Sequence, residues 1–184
     1  MRIISGSKRG HKLCGFEGSD IRPTTDRVKE SVFNLIQPYV RDARVLDLFA
    51  GSGALAFEAL SRGAQSAVCV DRDKASREVV SKNCRSLGFC DRTQIVAQDA
   101  LSYLAGCHRD FSLIFLDPPY RKGFTDPVMK SIREHSVLCD TGVVVLESDD
   151  EDEHTERDGF EMLKSRRYGR TFITVYKKKK EGFV

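Results

Sequence analysis

The stretch Val45-Leu46-Asp47-Leu48-Phe49-Ala50-Gly51-Ser52-Gly53-Ala54-Leu55 joins a short apolar strand to a glycine turn and the start of a helix. Gly51 and Gly53 permit a tight turn and the close approach of a ligand to the backbone at a helix N-terminus. Asp71 ends the next apolar run, where its carboxylate can accept hydrogen bonds from ribose hydroxyls. The stretch therefore predicts the first strand, turn and helix of a nucleotide-binding α/β sheet.

Strand and helix signals alternate on both sides of this stretch. The predicted strands are 44–49, 66–70, 93–97, 111–116 and 142–147, and the predicted helices are 54–61, 74–87, 100–105 and 127–138. Two further β runs, 160–163 and 171–176, meet at a Tyr168-Gly169-Arg170 turn. This pattern predicts a doubly wound, mostly parallel seven-stranded sheet that ends in an antiparallel hairpin, all within one domain spanning residues 23–184.

Residues 1–22 contain glycines at short intervals, which argues against a helix and favours a β-hairpin arm. Residues 1–30 carry seven Lys or Arg against four Asp or Glu, and residues 164–180 carry eight Lys or Arg and no acid. Basic ends around a near-neutral middle indicate a polyanionic partner. The candidate phosphate-binding residues of the arm are Lys8, Arg9, Lys12 and Arg22.

Arg22-Pro23-Thr24-Thr25-Asp26 precedes a predicted helix that Pro38 stops. Its expected apolar face is Val28, Val32, Leu35 and Ile36, and the later helix 74–87 is expected to turn Ala75, Val79 and Val80 inward. The start of the first helix is densely polar. Two interpretations are open: these residues cap the helix and face solvent, or the turn, with Thr24 and Asp26, closes over a bound ligand.

Asp117-Pro118-Pro119-Tyr120 closes the apolar run 111–116. Both prolines fix φ and lack an N–H, so the loop is rigid and its carbonyl groups have fixed directions. A carboxylate, stiff backbone acceptors and an aromatic ring suit a planar base with an exocyclic amine. The loop therefore predicts that Asp117 and Pro118 bind the amine and that the base stacks on Tyr120.

Acids follow four successive predicted strands: Asp47, Asp71, Asp99 and Asp117. Ligands of open α/β sheets bind at the carboxyl ends of the strands, so these acids should line one rim. The spacing Gly51-x-Gly53-x-x-Ala56 also fits a dinucleotide-binding oxidoreductase. A pyrophosphate would be repelled by four carboxylates, whereas a ligand with an ammonium and a sulfonium would be attracted. The pattern favours S-adenosylmethionine, with Asp47 near its amino group and Asp99 near its adenine.

The composition is that of an ordinary globular domain, with 184 residues and a net charge of +3 at pH 7. Six scattered cysteines and four isolated histidines indicate neither a disulfide framework nor a metal site, and the cysteines are expected to be small core residues. No signal peptide and no apolar run near the ~18 residues of a membrane helix is evident. We expect a cytoplasmic protein.

The chain resembles the RsmD family, the bacterial 16S ribosomal RNA guanine-N(2) methyltransferases. The resemblance rests on residues 1–6, 22–30, 46–55, 58–64, 115–120 and 168–171, of which Arg22-Pro23-Thr24-Thr25-Asp26-Arg27 is the most specific. It implies that Gly51 and Gly53 hold the methionine part of S-adenosylmethionine, Asp71 the ribose and Asp99 the adenine. Relatives often carry Glu where this chain has Asp71, which shortens the side chain by one methylene.

The resemblance further implies that Asp117, Pro118, Pro119 and Tyr120 are catalytic and that the partner is ribosomal RNA or an assembling small subunit. An adenine-N(6) methyltransferase also fits the Asp-Pro-Pro-Tyr loop, although no extra DNA-recognition domain is evident. A non-catalytic RNA-binding or assembly factor is a third reading, which the intact glycines and acids oppose. A monomer is expected.

Overall fold

A seven-stranded sheet organises the computed structural model, which describes residues 1–16, 26–118, 123–148, 157 and 159–179. The strands are β1 (Arg44–Asp47), β2 (Ser66–Val70), β3 (Thr93–Val96), β4 (Phe111–Leu116), β5 (Leu138–Ser148), β6 (Phe160–Tyr168) and β7 (Thr171–Lys178). Their order is β3-β2-β1-β4-β5-β7-β6. The first five run parallel and β7 runs antiparallel to both β5 and β6, so the predicted α/β fold is confirmed.

Helices cover both faces of the sheet. They are α1 (Asp26–Leu35), α2 (Ala54–Ser61), α3 (Lys74–Leu87), α4 (Ala100–Ala105) and α5 (Thr125–Glu134), with short 3₁₀ turns at Gln37–Tyr39 and Cys90–Arg92. Buried side chains of α1, α2 and α3 share one apolar cluster with the sheet. Those of α4 and α5 share the other. Among the described residues, no helix is long and apolar enough to span a bilayer.

The helix boundaries follow from local capping. Asp73 precedes α3, and its carboxylate accepts a hydrogen bond from the N–H of Ser76. Gly88 ends the same helix at φ 68°, a left-handed conformation that favours glycine. Asp99 caps α4 in the same way through Ser102. These polar and glycine signals explain why the predicted ranges of α3 and α4 match the observed ones.

The boundary between α5 and β5 differs from the prediction, which ran the helix from 127 to 138. The helix ends at Glu134, and Ser136 adopts a left-handed φ of 52°. Leu138 then starts β5 opposite Phe111, and the N–H of Phe111 donates to Val137 at 2.7 Å. The apolar pair Val137-Leu138 continues the helical periodicity in the sequence, but here tertiary pairing with β4 decides the conformation.

Two predicted helix faces were also wrong in part. In α1, Lys29 and Phe33 are fully buried, whereas Val28 and Leu35 are only partly buried. In α3, Ala75 is exposed. The buried face of α1 is shifted toward Lys29 and Phe33, because this helix also covers the N-terminal hairpin. In α3 Val79 and Val80 are buried as predicted, and the polar side chain of Asn83 bonds the hairpin.

The six cysteines, all in the described residues, are free thiols. Cys69 and Cys84 belong to the core as predicted, but Cys14 and Cys90 are exposed. The expectation that the cysteines are core residues was therefore right for only part of the set.

Residues 1–16 include the predicted hairpin, which is docked on the domain. Arg2 and Lys12 form an antiparallel bridge, and Ile3 and His11 share a 2.9 Å backbone hydrogen bond. Its tip packs on the C-terminal end of α2, where the N–H groups of Ser7 and Lys8 donate to Ser61. A Cβ at Gly6 would lie 1.9 Å from the Ser61 carbonyl oxygen, so this contact requires glycine.

A buried ion cluster joins the hairpin to α1 and α2. The ammonium of Lys29 lies 3.3 Å from the carboxylate of Glu58, and both side chains are fully buried. Glu58 also accepts hydrogen bonds from the N–H groups of Ile4 and Ser5 and from Arg62. Lys29 in turn donates to the carbonyl of Arg2. Burial lowers the pKa of Lys29, and the negative charge of Glu58 opposes that shift.

Glu58→Ala should destabilise the protein by about 3–5 kcal/mol, because it leaves a buried ammonium without its anion. The matched control is Glu78→Ala, which removes an exposed ion pair with Lys74 and should cost no more than about 0.5 kcal/mol. Urea unfolding of both variants at neutral pH measures the difference. A cost below about 1 kcal/mol for Glu58→Ala would show that the cluster does not hold the hairpin in place.

Candidate active site

The carboxyl ends of the parallel strands form a rim that carries most of the predicted site. Asp47 is the last residue of β1 and lies opposite Cys69 of β2 and Phe115 of β4. Leu116 lies opposite Leu146, so Asp117, directly after β4, and Glu147, within β5, lie at the same level on neighbouring strands. Because side chains alternate along strands, all three carboxyl groups emerge on the face covered by α1 and α2.

The glycine turn has the backbone that the sequence predicts. Gly51 has a φ of 53° and Gly53 a φ of 76°, and Gly53 forms the N-cap of α2. A Cβ at Gly53 would lie 2.5 Å from the ring of Phe57, so this position has no room for a side chain. At Gly51 the nearest atom would be 3.9 Å away. The space beside the Cα of Gly51 is therefore not filled by other described residues.

Asp71 is tied to the glycine turn. One carboxylate oxygen accepts a 2.9 Å hydrogen bond from the N–H of Gly51, and the other accepts one from Asp73. A carboxylate has about four acceptor sites, so two or so stay available for a pair of hydroxyls. This geometry holds the acid beside the turn, where a ribose could bind.

Asp47 is the most buried of the rim acids, with 2% of its surface exposed. Burial and the neighbouring negative charge of Asp71 raise its pKa to about 7, although the N–H groups of Ala56 and Phe49 donate to it. Among the described residues no cation pairs with Asp47, so burial and the charge of Asp71 dominate the shift. A positively charged ligand group would therefore bind favourably beside this carboxylate.

Asp117 shares its environment with Glu147. Burial, and then the charges of Glu147 and Asp47, raise the pKa of Asp117 well above its ordinary range. Glu147, only 6% exposed, was missed as a site residue because the sequence shows it at the head of an acidic run. Its place at the end of the apolar run Val143–Leu146, like that of Asp47 and Asp117, was the available signal.

Asp99 lies apart from this cluster, after the edge strand β3. Its carboxylate oxygens accept from the N–H and hydroxyl of Ser102, and these bonds lower its pKa. The side chain is exposed. Its first role is to cap α4, and its remaining acceptor sites face solvent at the same rim.

The remaining predicted ligand-binding residues are only partly described. Asp26 begins α1 and pairs with Arg2 at 3.3 Å. Pro118, the residue after Asp117, is buried. Thr24, Arg22, Pro119 and Tyr120 lie outside the described residues.

The basic residues of the hairpin lie away from the rim. Lys8 is next to Ser61 at the end of α2, and α2 starts at the rim and is eight residues long. At 1.5 Å per residue, about 12 Å separates Lys8 from the glycine turn. Lys8 also lies 5.8 Å from the ring of Phe89, and the neighbouring Arg9 is exposed. Lys12, opposite Arg2, is exposed further toward the rim.

Asn83 links the hairpin to the glycine turn and was not predicted. Its amide oxygen accepts from the N–H of Cys14 at 2.7 Å. Its amide nitrogen donates to the carbonyls of Cys14 and Ser52. With 1% of its surface exposed, Asn83 holds both segments at a fixed spacing. A lone Asn in a helix carries no sequence signal for this role.

The sheet order, with an antiparallel strand inserted next to β5, and the acids beside the glycine turn define a Rossmann-fold methyltransferase. The sequence family described as conserved hypothetical protein 95 matches residues 1–177. The chain belongs to this family, the RsmD family of methyltransferases.

Several relatives are similar over most of the chain. YlbH of Bacillus subtilis is 43% identical over 97% of this chain and 100% of its own length. Ribosomal RNA small subunit methyltransferase D of Escherichia coli is 38% identical over 81% of this chain and 75% of its own. The solved structure of yhhF from Escherichia coli superposes with a TM-score of 0.88 at 34% identity, covering 97% of this chain and 98% of that one.

Proposed function

We propose that this protein transfers a methyl group from S-adenosylmethionine to the N(2) amine of a guanine in 16S ribosomal RNA. The observation that carries the proposal is the placement of Asp47 and Asp117 at the ends of adjacent strands, one beside the glycine turn and the other heading the Asp-Pro-Pro-Tyr segment. The first acid suits the methyl donor and the second suits the amine. The relatives named as ribosomal RNA small subunit methyltransferase D support the substrate.

The residues present fit this cofactor. The raised pKa of the buried Asp47 indicates an uncompensated carboxyl that an ammonium would match. In the proposal Gly51 and Gly53 hold the methionine part, Asp71 the ribose and Asp99 the adenine. Thr24 and Asp26 close over it from the start of α1. A cofactor with a pyrophosphate would place negative charge against the same carboxyls.

The cofactor supplies an electrophilic methyl group on a positively charged sulfur. The amine of guanine is a poor nucleophile because its lone pair is delocalised into the ring. The Asp117 carboxylate and the Pro118 carbonyl accept its two N–H bonds, which localises the lone pair and orients it for in-line attack. Tyr120 stacks on the base and Pro119 stiffens the loop. Asp117 then accepts the proton that the methylated amine releases.

Asp117 can perform this role only when it is ionised, because a neutral carboxyl would offer a donor to the amine. Its pKa is raised by burial and by the charges of Glu147 and Asp47. Positive charge bound at the rim lowers the pKa of both Asp117 and Asp47. The active ionisation state of Asp117 is therefore coupled to an occupied cofactor site.

The guanine must leave its stack to reach Asp117, and bases in single-stranded regions are the least costly to extrude. Ribosomal RNA in an assembling small subunit, in the cytoplasm, is the proposed partner. In the proposal Lys8, Arg9, Lys12 and Arg22 contact its phosphates.

Lys8→Glu/Arg9→Glu should weaken binding of small subunits about threefold to tenfold and reduce the salt dependence of the affinity. The rate of methyl transfer within the bound complex should not change, because the hairpin tip lies at the far end of α2 from the rim. Filter binding at several salt concentrations and single-turnover kinetics separate the two effects. An unchanged salt dependence would remove the tip from the RNA interface.

Labelled S-adenosylmethionine incubated with small subunits that lack the modification, with extracted ribosomal RNA and with duplex DNA tests the proposed reaction. Nucleoside analysis should place the label in N(2)-methylguanosine. Label in N(6)-methyladenosine would assign the protein to the adenine class. No label on any substrate, with cofactor binding intact, would leave a non-catalytic RNA-binding factor.

A further inference from the structure

Three exposed arginines surround the turn between β6 and β7. Arg166 and Arg167 lie near the end of β6, and Arg170 lies within the turn that Tyr168 and Thr171 close. We call these three residues the arginine turn. It belongs to none of the cofactor or catalytic positions described above.

The sheet register places the arginine turn at the catalytic rim. Phe172 of β7 lies opposite Ser148, the last residue of β5, because these strands are antiparallel. The turn therefore extends past the same edge from which Asp117 emerges. Only β5 lies between β4 and β7, so at about 4.8 Å per strand the start of β7 is about 10 Å from the end of β4.

The arginine turn lies on the side of Asp117 where a substrate would approach. The glycine turn, Asp71 and Asp99 occupy the half of the sheet formed by β1, β2 and β3. A methyl donor bound there leaves the half formed by β5, β7 and β6 for the second substrate. The two substrates of a transfer must meet at the boundary, which is the end of β4.

Contacts with backbone carbonyls and one aromatic ring orient the guanidinium groups of Arg166 and Arg167. Arg167 donates from Nε to the carbonyl of Gly169 at 2.8 Å and lies 5.3 Å from the ring centre of Phe172. Arg166 donates to the carbonyl of Ser165. Within the described ranges, none of the three arginines forms an ion pair, in contrast to Arg44 and Arg62. Their positive charge is available to an external anion.

We propose that the arginine turn binds backbone phosphates of the RNA that flank the target guanine, an inference that rests on the proposed function. The carboxyls of the rim repel a polyanion, so the RNA needs cations beside the catalytic pocket to bring a base to Asp117. Arginine suits this task, because its planar fork can donate two hydrogen bonds to one phosphate. The arginine turn holds the RNA backbone while the guanine base enters the pocket.

Arg166→Glu/Arg170→Glu tests the inference and leaves the stacked Arg167 in place. The control, Arg41→Glu/Lys130→Glu, makes the same change in net charge at exposed positions outside the rim. Filter binding of unmodified small subunits should show at least about a tenfold weaker affinity for the turn variant than for the control, and a salt slope smaller by about 2. Cofactor binding and thermal melting should match the wild type.

A photo-reactive amino acid at position 170 identifies the bound partner, and RNA should be the cross-linked species. Equal affinities of the turn and control variants would overturn the inference, as would cross-linking to a ribosomal protein, which would indicate an acidic protein surface instead. Wild-type methylation of the same subunits is measured in parallel. If the wild type methylates the RNA and the turn variant binds it normally, the proposed role of the arginine turn is refuted. The proposed function would not be affected by that result.

Discussion

Asp117→Ala is expected to lower the single-turnover rate of methyl transfer at saturating cofactor by about 10²–10⁴, with a stability at neutral pH no lower than that of the wild type. The magnitude combines the loss of a proton acceptor with the loss of an oriented hydrogen-bond acceptor. Burial and the charges of Glu147 and Asp47 raise the pKa of this carboxyl, so its ionised form is unfavourable in the fold and its removal should not destabilise the protein. Quench-flow measurement with labelled cofactor and saturating small subunits gives the rate.

Asp117→Asn is the matched variant, because it keeps the shape and one acceptor oxygen but cannot take a proton. Its rate should fall between those of Asp117→Ala and the wild type. The wild-type rate should rise with pH, because the pKa of Asp117 is raised and only the carboxylate accepts from the amine. The Asn variant should lack this dependence. If Asp117→Ala keeps its rate within tenfold of the wild type, the amine is bound elsewhere.

Asp47→Asn is expected to have the second large effect. It should raise the stability of the cofactor-free protein at high pH and weaken cofactor binding. The pKa of Asp47 is about 7 in the folded protein and about 3.9 in an unfolded chain. The contribution of Asp47 to the free energy of unfolding is therefore greatest at low pH. It falls by on the order of 4 kcal/mol as the pH rises through 7. The cofactor-free variant should therefore exceed the wild type in stability at pH 8 and match it near pH 4.

Cofactor binding should respond in the other direction, since the ammonium requires the carboxylate. Wild-type affinity for S-adenosylmethionine should increase as pH rises toward 7 and then level off, with proton release on binding below that value. Asp47→Asn should bind at least about 100-fold more weakly, as expected for loss of a buried charged hydrogen bond. Calorimetry in two buffers of different ionisation enthalpy measures both. Wild-type affinity in the Asp47→Asn variant would show that the ammonium does not bind to Asp47.

The fold was predictable because its signals are local. Ala54–Ser61 and Lys74–Leu87 have the observed bounds, since a glycine turn, the Asp73 cap and Gly88 mark their ends. The rim could be predicted as well, because parallel strands bring residues that follow them to one edge. Asp47, Asp71 and Asp117 needed no tertiary information beyond this rule.

Tertiary contacts decided the remaining features. Leu138 follows a helical pattern in the sequence, yet it pairs with Phe111 in the sheet. Lys29 lies fully buried in α1 only because Glu58 of α2 provides its anion. The docking of the hairpin depends on Asn83, distant in sequence from both segments that it joins. Such partners leave no periodic trace along the chain.

A crystal structure with bound S-adenosylhomocysteine would test most directly the claim that one rim holds both the donor and the amine-binding loop. The amino group should lie against Asp47, the ribose hydroxyls on Asp71, and the sulfur should face Asp117. A ligand bound away from the glycine turn, or with its sulfur directed away from Asp117, would contradict it.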